Sequence, residues 1–312
     1  MSSKLDRITL KQLRALSEVA ASDNIVTAAK TLGLTGPAVH SQLRTLQEAL
    51  GIDLLAHQGR RKNSPTPEGA VLLAAHERIR AILERALAEI DDIGAGLTGT
   101  VVLGAVSTAK YFAPHIVARL QTDMPELQIT LKIANRQATI AALARGEFDL
   151  CIMGRPPREP LVEAVTLGPH PHVIVAAPGH PITEAGGPLL EELVQHRFLL
   201  REEGSGTRAL AIRFLTELPA RLRQDTIVMD SNETIKQAVM SGLGIALISA
   251  HTVVQEVMDG RLAILDVQGT PLVRQWFLLH GGAEPLRPAA ARVHDWLVAR
   301  ADELLPRLPG VF

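Results

Sequence analysis

The stretch Asp23–Leu50 constrains the fold most, because it predicts two short helices joined by a tight turn. Asn24 is a good N-cap for the first helix, and Gly33 ends that helix in a three-residue turn. Thr35 is a good N-cap for the second helix, and Pro37 falls in its first turn, where a missing N–H costs little. The stretch therefore predicts a helical hairpin.

The second helix of this hairpin has one apolar face and one polar face. Apolar residues recur at helical spacing at Val39, Leu43, Leu46 and Leu50. The other faces carry His40, Ser41, Arg44 and Thr45. A polar face with one arginine suits the major groove of DNA. An ordinary hairpin with a solvated face is the alternative, because such motifs are short.

Length and composition place the chain among globular proteins. Its 312 residues predict two or more domains, and a hydrophobic content of 46% allows large cores. The N-terminus lacks an apolar signal core, and no apolar run has the length of a membrane span. We therefore expect a soluble, reduced protein in the cytoplasm.

Positive charge is concentrated around the hairpin. Residues 1–65 carry nine Lys and Arg against five Asp and Glu, whereas residues 66–94 have a net charge of −3. After the hairpin, Leu54 and Leu55 predict a short β-wing with a basic tip at Arg60, Arg61 and Lys62. Cations beside a helical hairpin favour contacts with the phosphate backbone, which give affinity without sequence information.

A long helix is predicted from Thr66 to about Ile93, between the wing and the rest of the chain. Thr66-Pro67-Glu68 combines an N-cap, a proline at the first helical position and an early acid. Its apolar stripe comprises Leu72, His76 (or Ala75), Ile79, Leu83 (or Ile82), Ala86, Ile90 and Ile93. We expect this stripe to pair with the same helix of a second subunit. Packing on the chain's own downstream domain is the alternative.

From residue 98 onwards, strand and helix patterns alternate, which predicts an α/β fold with a parallel core. The region is long enough for two subdomains, with chain crossings near Val165–Gly168 and Gly269–Pro271. We therefore assign residues 1–65 to a winged helix-turn-helix domain, 66–94 to a linker helix and 95–312 to a two-subdomain α/β domain. Subdomain I comprises 95–166 and 271–312, and subdomain II comprises 167–270. Two crossings predict a cleft that a ligand could close.

Several predicted helices of this α/β region begin with small polar residues, and the free N–H groups at a helix start favour anions. These starts are Ser107-Thr108, Gly204-Ser205-Gly206-Thr207 and Ser231-Asn232-Glu233-Thr234, with nearby cations at Lys110, Arg136, Arg155, Arg201 and Arg208. Together they favour a small anionic ligand in the cleft. For any single helix start, simple capping is the alternative explanation.

Other chemistry-bearing residues carry weaker signals. His170, His172 and His180 lie close in sequence, but no Cys or acidic partner stands at a spacing that suits a metal. Cys151 lies in an apolar run, which predicts a buried and inert thiol. The chain lacks a nucleophile-elbow motif. We therefore expect neither a metal, nor a cofactor, nor catalysis.

Longer motifs carry a family resemblance along essentially the whole chain. The hairpin NIVTAAKTLGLTGPAVHSQLRTLQEALG, the following LL and the Thr-Pro-x-Gly start of the long helix resemble the LysR-type transcriptional regulators. The rest is similar to the Rubisco-operon (CbbR-type) branch of that family. The stretches that carry this second likeness are GAVSTAKYFAP, DLCIMGRPP, GPHPHVIVAAPGHP, REEGSGTR, SNETIKQAVMSGLGIALISAHTV and VRQWF.

The resemblance implies a transcription regulator whose effector domain is similar to periplasmic binding proteins. It implies a tetramer of two dimers on promoter DNA, control of carbon-fixation or related one-carbon genes, and RNA polymerase as a further candidate partner. The implied effectors are ribulose bisphosphate, phosphoenolpyruvate or NADPH. The implied DNA contacts fall on Thr35, Pro37, Ala38, His40, Ser41, Gln42 and Arg44. The implied effector contacts fall on Ser107, Thr108, Arg136, Arg155, Thr207, Arg208, Asn232 and Thr234, beside Lys110 and Ser205 from the pattern above.

The chain departs from the family at the recognition helix and just after it. Gly36 and His40 stand where the family commonly has Gln and Ser, and Leu55-Ala56-His57 replaces a common Phe-x-Arg. These changes alter the base-edge donors and acceptors, so a relative's operator cannot simply be transferred. A LysR-type regulator of another operon that senses a different anion is the alternative. A transport solute-binding protein and a two-lobed enzyme are the rivals outside the family.

Overall fold

The computed structural model describes residues 4–22, 24–56, 63–95, 98–183, 190–193, 195–216 and 225–308. The chain divides into two compact units, Met1–Leu87 and Ala88–Phe312. The helices of the first unit are α1 Leu10–Ala21, α2 Ile25–Leu32, α3 Gly36–Leu50 and α4 Pro67–Ala95, of which the last continues into the second unit. None of the described helices has the combination of length and apolar character that a bilayer crossing requires.

The sequence pattern predicts a first helix over residues 4–21, with Leu10, Leu13, Leu16, Val19 and Ala20 on its inner face, but the helix begins later. A short 3-10 turn covers Lys4–Arg7, and α1 starts only at Leu10. The reason is a capping box, in which the Thr9 hydroxyl accepts the Gln12 N–H and the Gln12 side chain accepts the Thr9 N–H. Capping therefore sets the start of α1. Of the predicted inner face, Leu13, Leu16 and Val19 are buried and Ala20 is half-buried, whereas Leu10 is 48% exposed.

The helical hairpin forms at the predicted positions. The Asn24 side chain accepts the Thr27 N–H at 2.8 Å, and Gly33 ends α2 in a left-handed conformation with φ of 65°. Thr35 occupies the N-cap position of α3, but its side chain makes no capping hydrogen bond, contrary to the expectation from its residue type. Thr35 is an exposed residue at the start of α3.

The apolar faces of these helices enclose one core, and the start of the wing closes it. Buried members of this core come from α1, α2, α3 and the wing: Leu13, Ala15, Leu16, Val19, Ala28, Ala29, Val39, Leu43, Leu46, Leu54 and Leu55. Leu55 pairs with Pro65 in an antiparallel bridge, and the Thr66 hydroxyl accepts the Gly69 N–H at the start of α4. The predicted basic tip, Arg60 to Lys62, lies outside the described residues.

The second unit contains a mixed sheet rather than a sheet with a parallel core throughout. Its strands are β1 Gly99–Val106, β2 Leu127–Ala134, β3 Leu150–Met153, β4 Val162–Ala176, β5 Phe198–Arg201, β6 Thr226–Met229, β7 Ala246–Ser249, β8 Ala263–Leu265 and β9 Leu272–Gly281. The order β2-β1-β3-β9-β4-β7 includes parallel β2-β1-β3, whereas β9 runs antiparallel to both β3 and β4. β8 pairs with β4, and β5 and β6 form a separate parallel pair.

Two lobes share this sheet, and the paired strands β4 and β9 run through both. The core of lobe I includes Leu167 of β4 and Trp276 of β9, whereas the core of lobe II includes Ile174 of β4, with Leu272 of β9 packed against it. Both strands therefore pass from one core to the other. On β4 the passage lies between Leu167 and Ile174, next to a register shift between Thr166 and Gly168, and on β9 it lies between Leu272 and Trp276.

Helices pack against the strands of this unit. They are α5 Ala113–Asp123, α6 Arg136–Ala144, α7 Leu190–Leu193, α8 Gly206–Thr216, α9 Asn232–Met240, α10 Val254–Met258, α11 Pro288–Ala299 and α12 Ala301–Leu304. Two details differ from the prediction. Ser107-Thr108 begins a 3-10 turn, Ser107–Tyr111, instead of capping α5. The sequence pattern predicts one final helix over residues 288–305, and this helix is interrupted at Arg300.

Candidate functional site

The polar face of α3 presents most of the predicted DNA contacts to solvent. Thr35, Pro37, His40, Ser41 and Arg44 are exposed, whereas Ala38 and Gln42 are half-buried. This face is polar because the apolar residues of α3 face the core. The predicted contacts Arg60 and Arg61 lie outside the described residues.

Arg44 already has a partner on its own helix. Its Nε donates to Glu48 Oε1 at 2.7 Å, one helical turn away, and both side chains are exposed. The Glu48 carboxylate raises the pKa of Arg44, so this guanidinium stays charged. Exposed pairs of this kind contribute little stability. Arg44 can therefore leave Glu48 for a phosphate or a base edge at small cost.

In the second unit, a cavity of about 180 Å³ opens between the helix starts and the paired strands β4 and β9. Six of the predicted effector contacts line it: Ser107, Thr108, Arg136, Arg155, Ser205 and Thr207. The lining also includes four residues with polar side chains that the sequence analysis did not assign: His170, His172, Arg213 and Arg274. The cavity thus joins side chains from both lobes.

The charge of the lining is one-sided. Arg136, Arg155, Arg213 and Arg274 contribute guanidinium groups, and none of the lining residues in the described part of the chain is Asp or Glu. Thr108, Ser205 and Thr207 are buried around the same space, with hydroxyl groups at the start of a 3-10 turn and of α8. Guanidinium groups and helix-start N–H groups both bind anions. The cavity can therefore hold a small polyanion.

Four of the predicted effector contacts are outside the cavity lining. Lys110 lies over the Tyr111 ring, 5.2 Å from its centroid, and Arg208 donates to the Arg201 carbonyl oxygen at 2.9 Å. Asn232 is buried and accepts a hydrogen bond from Arg201. Thr234 is exposed and bonds Ser231 and Asp230 near the start of α9.

Arg201 connects two of the predicted residues. This side chain is 2% exposed, and its guanidinium donates to Ser107 Oγ at 3.1 Å and to Asn232 Oδ1. Glu202 accepts two further hydrogen bonds from the same guanidinium, at 2.7 and 3.0 Å. Since Ser107 belongs to lobe I and Arg201 to lobe II, this network joins the lobes at the edge of the cavity. The sequence analysis noted Arg201 as a cation but did not predict this bridging position.

Three histidines and a tryptophan form a buried stack beside the cavity. The His170 ring lies 3.8 Å from the Trp276 ring at an interplanar angle of 16°, and Trp276 Nε1 donates to His251 Nδ1 at 2.9 Å. His172 is 4.2 Å from His170. Burial lowers the pKa of His172 and of His251 to about 4, and it holds the pKa of His170 well below its ordinary value. The described residues include no group of His, Cys, Asp and Glu that could hold a metal ion.

These pKa shifts predict that the second unit loses stability in mild acid. Between pH 6.5 and about 4 the unfolded chain binds protons at His172 and His251 that the folded chain does not, so the free energy of unfolding falls as the pH falls. The expected slope is on the order of 1 kcal/mol per pH unit for each histidine. Urea unfolding followed by circular dichroism between pH 7 and 4 measures it. His172→Gln should flatten the slope and the exposed His115→Gln should not; equal slopes in both variants would refute the assignment.

A helical hairpin with an exposed polar face and an arginine-lined cavity are features typical of a DNA-binding regulator that responds to a ligand, and similarity to known proteins supports this class. The family "Bacterial regulatory helix-turn-helix protein, lysR family" matches residues 10–70, and "LysR substrate binding domain" matches residues 94–302. The HTH-type transcriptional regulator CbbR of Cereibacter sphaeroides is 47% identical over 309 residues, which is 98% of this chain and 99% of the relative. The chain therefore belongs to the LysR family of transcriptional regulators, whose members named here are regulators and not enzymes.

Two solved structures resemble the chain. The regulatory domain of CcmR from Synechocystis PCC6803, in complex with 2-PG, is 28% identical with a TM-score of 0.62 and covers 66% of this chain and 98% of its own. Full-length CbnR in complex with its target DNA has a TM-score of 0.70 at 19% identity and covers 94% of this chain and 100% of its own. The second likeness concerns the fold alone.

Proposed function

We propose that this LysR-type regulator binds promoter DNA of carbon-fixation genes and responds to a small anionic metabolite in the second unit. The observation that carries the proposal is the lining of the cavity. Among the described residues, this lining includes four arginines and no carboxylate. The 47% identity to a regulator named CbbR supports the choice of genes. Control of another metabolic operon through a different organic anion is the alternative within the family.

On the DNA side, we assign base and phosphate contacts to α3 and the wing. Thr35, Pro37, Ala38, His40, Ser41, Gln42 and Arg44 are the proposed contacts of α3. The exposure of five of them and the small cost of releasing Arg44 from Glu48 support this assignment. Arg60 and Arg61 are the proposed phosphate contacts of the wing.

The wing assignment makes a prediction about salt. Replacing Arg60 and Arg61 by Ala should weaken binding to operator and to random DNA alike, because phosphate contacts carry no sequence information. The slope of log K against log salt should fall by about 1 for each arginine that no longer neutralises a phosphate. Fluorescence anisotropy on both DNAs between roughly 50 and 200 mM salt measures this slope. Selective loss at one base position would contradict the assignment.

On the effector side, we assign the contacts to the cavity. Ser107, Thr108, Ser205 and Thr207 would donate hydroxyl hydrogen bonds, and Arg136 and Arg155 would supply charge-assisted ones. Lys110, Arg208, Asn232 and Thr234 would act from outside the lining, through Tyr111, Arg201 and the start of α9. The 2-PG bound by the CcmR domain, phosphoenolpyruvate and ribulose bisphosphate are the candidate effectors. NADPH is a much larger molecule, and only a part of it would enter a cavity of about 180 Å³.

For assembly, we propose a homodimer through α4 and a tetramer of two dimers, acting in the cytoplasm with RNA polymerase as a further partner. Exposed apolar residues of α4 support the dimer: Val71, Ile79, Ile82, Leu83, Leu87 and Ile90. Ile79, Leu83, Leu87 and Ile90 recur at helical spacing, so they form one stripe along the helix. Such a stripe, left in water along a long helix, favours association with a second copy.

The proposed function is tested by combining calorimetry with DNA footprinting on the full chain. We expect 2-PG, phosphoenolpyruvate or ribulose bisphosphate to bind, and the footprint on a carbon-fixation promoter to change when it does. A coupling of about 1–3 kcal/mol between the two sites is sufficient for such a change. The effector part of the proposal is refuted if none of these metabolites binds and the footprint does not change when they are added. Failure to bind carbon-fixation promoters would favour another operon.

A further inference from the structure

The two lobes of the second unit touch at a place outside the cavity lining. The Tyr111 hydroxyl donates to Glu233 Oε2 at 3.3 Å, and the Tyr111 ring centroid lies 4.5 Å from Lys236 Nζ. Tyr111 belongs to lobe I, where it precedes the core residue Phe112. Glu233 and Lys236 belong to α9, whose apolar side chains pack with β5 and β7 of lobe II. In the described part of the chain, none of these three residues lines the cavity.

The lobe II side of this contact is held in place by its own neighbours. The Lys236 side chain is 4% exposed, and its Nζ lies 2.6 Å from Glu256 Oε1 and 3.0 Å from Glu233 Oε2. The Gln237 side chain donates to Glu233 Oε1 at 3.0 Å. This hydrogen bond, together with Lys236, holds the pKa of Glu233 below its ordinary value. Glu233 is therefore a fixed carboxylate that accepts the Tyr111 hydroxyl.

Tyr111 complements this surface chemically. Burial and the nearby Glu233 carboxylate raise the pKa of Tyr111 above its ordinary value, so its hydroxyl stays protonated and acts as a donor. A hydroxyl that donates to a carboxylate and an ammonium group over an aromatic ring are both favourable interactions. Both exist only while the lobes are together, because Tyr111 belongs to one lobe and its two partners belong to the other.

Two further hydrogen bonds join the lobes, but they lie at the edge of the cavity. Asn135 Nδ2 donates to Glu202 Oε1 at 3.3 Å, and the Gln137 N–H donates to the Gly204 carbonyl oxygen at 3.1 Å. Asn135 and Gln137 flank Arg136, which lines the cavity, so a bound ligand can act on them directly. The Tyr111 contact has no such neighbour in the lining. It can respond to a ligand only through the position of the lobes.

We propose that Tyr111, Glu233 and Lys236 form a latch that holds the two lobes together and thereby sets the affinity for the effector. The inference rests on the proposed function, in which the effector contacts both lobes and so binds while they are together. The latch favours the same arrangement without touching the ligand. A protein that populates its binding-competent arrangement only in part binds its ligand more weakly by that fraction. Loosening the latch should therefore weaken effector binding although no contact with the effector is lost.

The latch is tested first without any metabolite, by hydrogen exchange on the full chain. The Gln137 N–H lies in the first turn of α6, where it has no helical acceptor, and its partner Gly204 is on the other lobe, so its exchange reports separation of the lobes. Tyr111→Phe removes the hydroxyl and keeps the ring, whereas Glu233→Gln removes a charge from a side chain that is 45% exposed. In each variant Gln137 should exchange about three- to thirtyfold faster. The double variant should show less than the product of the two effects, because both changes weaken the same hydrogen bond.

Effector binding is then measured on the same variants by calorimetry with phosphoenolpyruvate and 2-PG. Each variant should bind the active probe about two- to tenfold more weakly than the parent, and the DNA footprint should respond only at correspondingly higher concentrations. Glu284→Gln is the matched control, because it makes the same change of side chain at an exposed position of the second unit. Its exchange at Gln137 and its affinity should equal those of the parent.

The outcomes separate the latch from the proposed function. Exchange of Gln137 at the parent rate in both Tyr111→Phe and Glu233→Gln would overturn the latch, whatever their affinities. Faster exchange with parent-like affinity would overturn its role in effector binding. If the parent binds neither probe, these effectors are wrong, whereas the exchange measurement still decides whether the latch holds the lobes together.

Discussion

Replacing Leu83 and Ile90 by lysine is expected to dissociate the protein into monomers. These side chains are 41% and 62% exposed in the single chain, and they lie on the stripe that we assign to the dimer. A dimer would bury both copies of these two side chains, and burial of their exposed fractions contributes roughly 3–6 kcal/mol. Loss of this energy corresponds to a dimer that is about a hundred- to ten-thousandfold weaker, before the cost of burying a charge is added.

Operator affinity should fall together with the dimer. Two recognition helices held in one dimer bind two half-sites together, and a monomer loses this linkage. Light scattering on the free protein and gel-shift assays on the operator measure the two effects. Glu89→Lys is the matched control. It changes the net charge of α4 by +2, as the two lysines of the double variant do together, but at an exposed position that is polar in the parent. If Leu83→Lys with Ile90→Lys keeps the mass of the parent, the stripe faces something other than a second copy.

The second large effect is expected in the effector cavity. Arg136→Ala should weaken binding of the active metabolite by at least about a hundredfold, since it leaves an anionic oxygen without its charged partner. Thr108→Val and Thr207→Val should each weaken it about ten- to a hundredfold, because a hydroxyl that donates to a charged group is lost. All three variants should bind the operator as the parent does when no metabolite is present. Calorimetry and footprinting measure the two properties separately.

Arg208→Ala separates the cavity from its surroundings. The Arg208 guanidinium donates to the Arg201 carbonyl oxygen, and Arg208 is not among the residues that line the cavity. Its loss should therefore weaken metabolite binding less than the loss of Arg136 does. An equal or larger effect of Arg208→Ala would show that Arg208 moves into contact with the ligand. Parent-like binding by Arg136→Ala, Thr108→Val and Thr207→Val together would place the ligand elsewhere in the protein.

Local signals in the sequence were sufficient for the helical hairpin of the first unit. As predicted, Asn24 caps the start of α2 and Gly33 ends this helix, because a capping side chain and a left-handed glycine act within a few residues of the chain. Val39, Leu43 and Leu46 are buried as their helical spacing predicts. Thr35 shows the limit of such rules, since its residue type suits an N-cap whereas its hydroxyl makes no capping bond.

The site in the second unit could be predicted only in part. Ser107, Thr108, Ser205 and Thr207 were found because helix starts are visible in the sequence, and all four line the cavity. His170 and His172 were noticed only as a weak metal signal. Their spacing of two places both on one face of a strand, and this was a usable sign. The sequence pattern predicts a strand at Val273–His280 but not its pairing with β4, so Arg274 had no apparent connection with these histidines.

What the sequence by itself determined is the order of its elements, the helical hairpin and the family, and its charge and helix starts predict an anionic ligand. These follow from capping, periodicity, charge and motifs that act over short stretches. What only the tertiary structure decided is which distant residues meet. Arg201 joins Ser107 to Asn232, and Trp276 brings His170 and His251 together, across separations of dozens of residues. Such contacts depend on strand pairing and on the packing of two lobes, and neither is encoded in any single stretch of the chain.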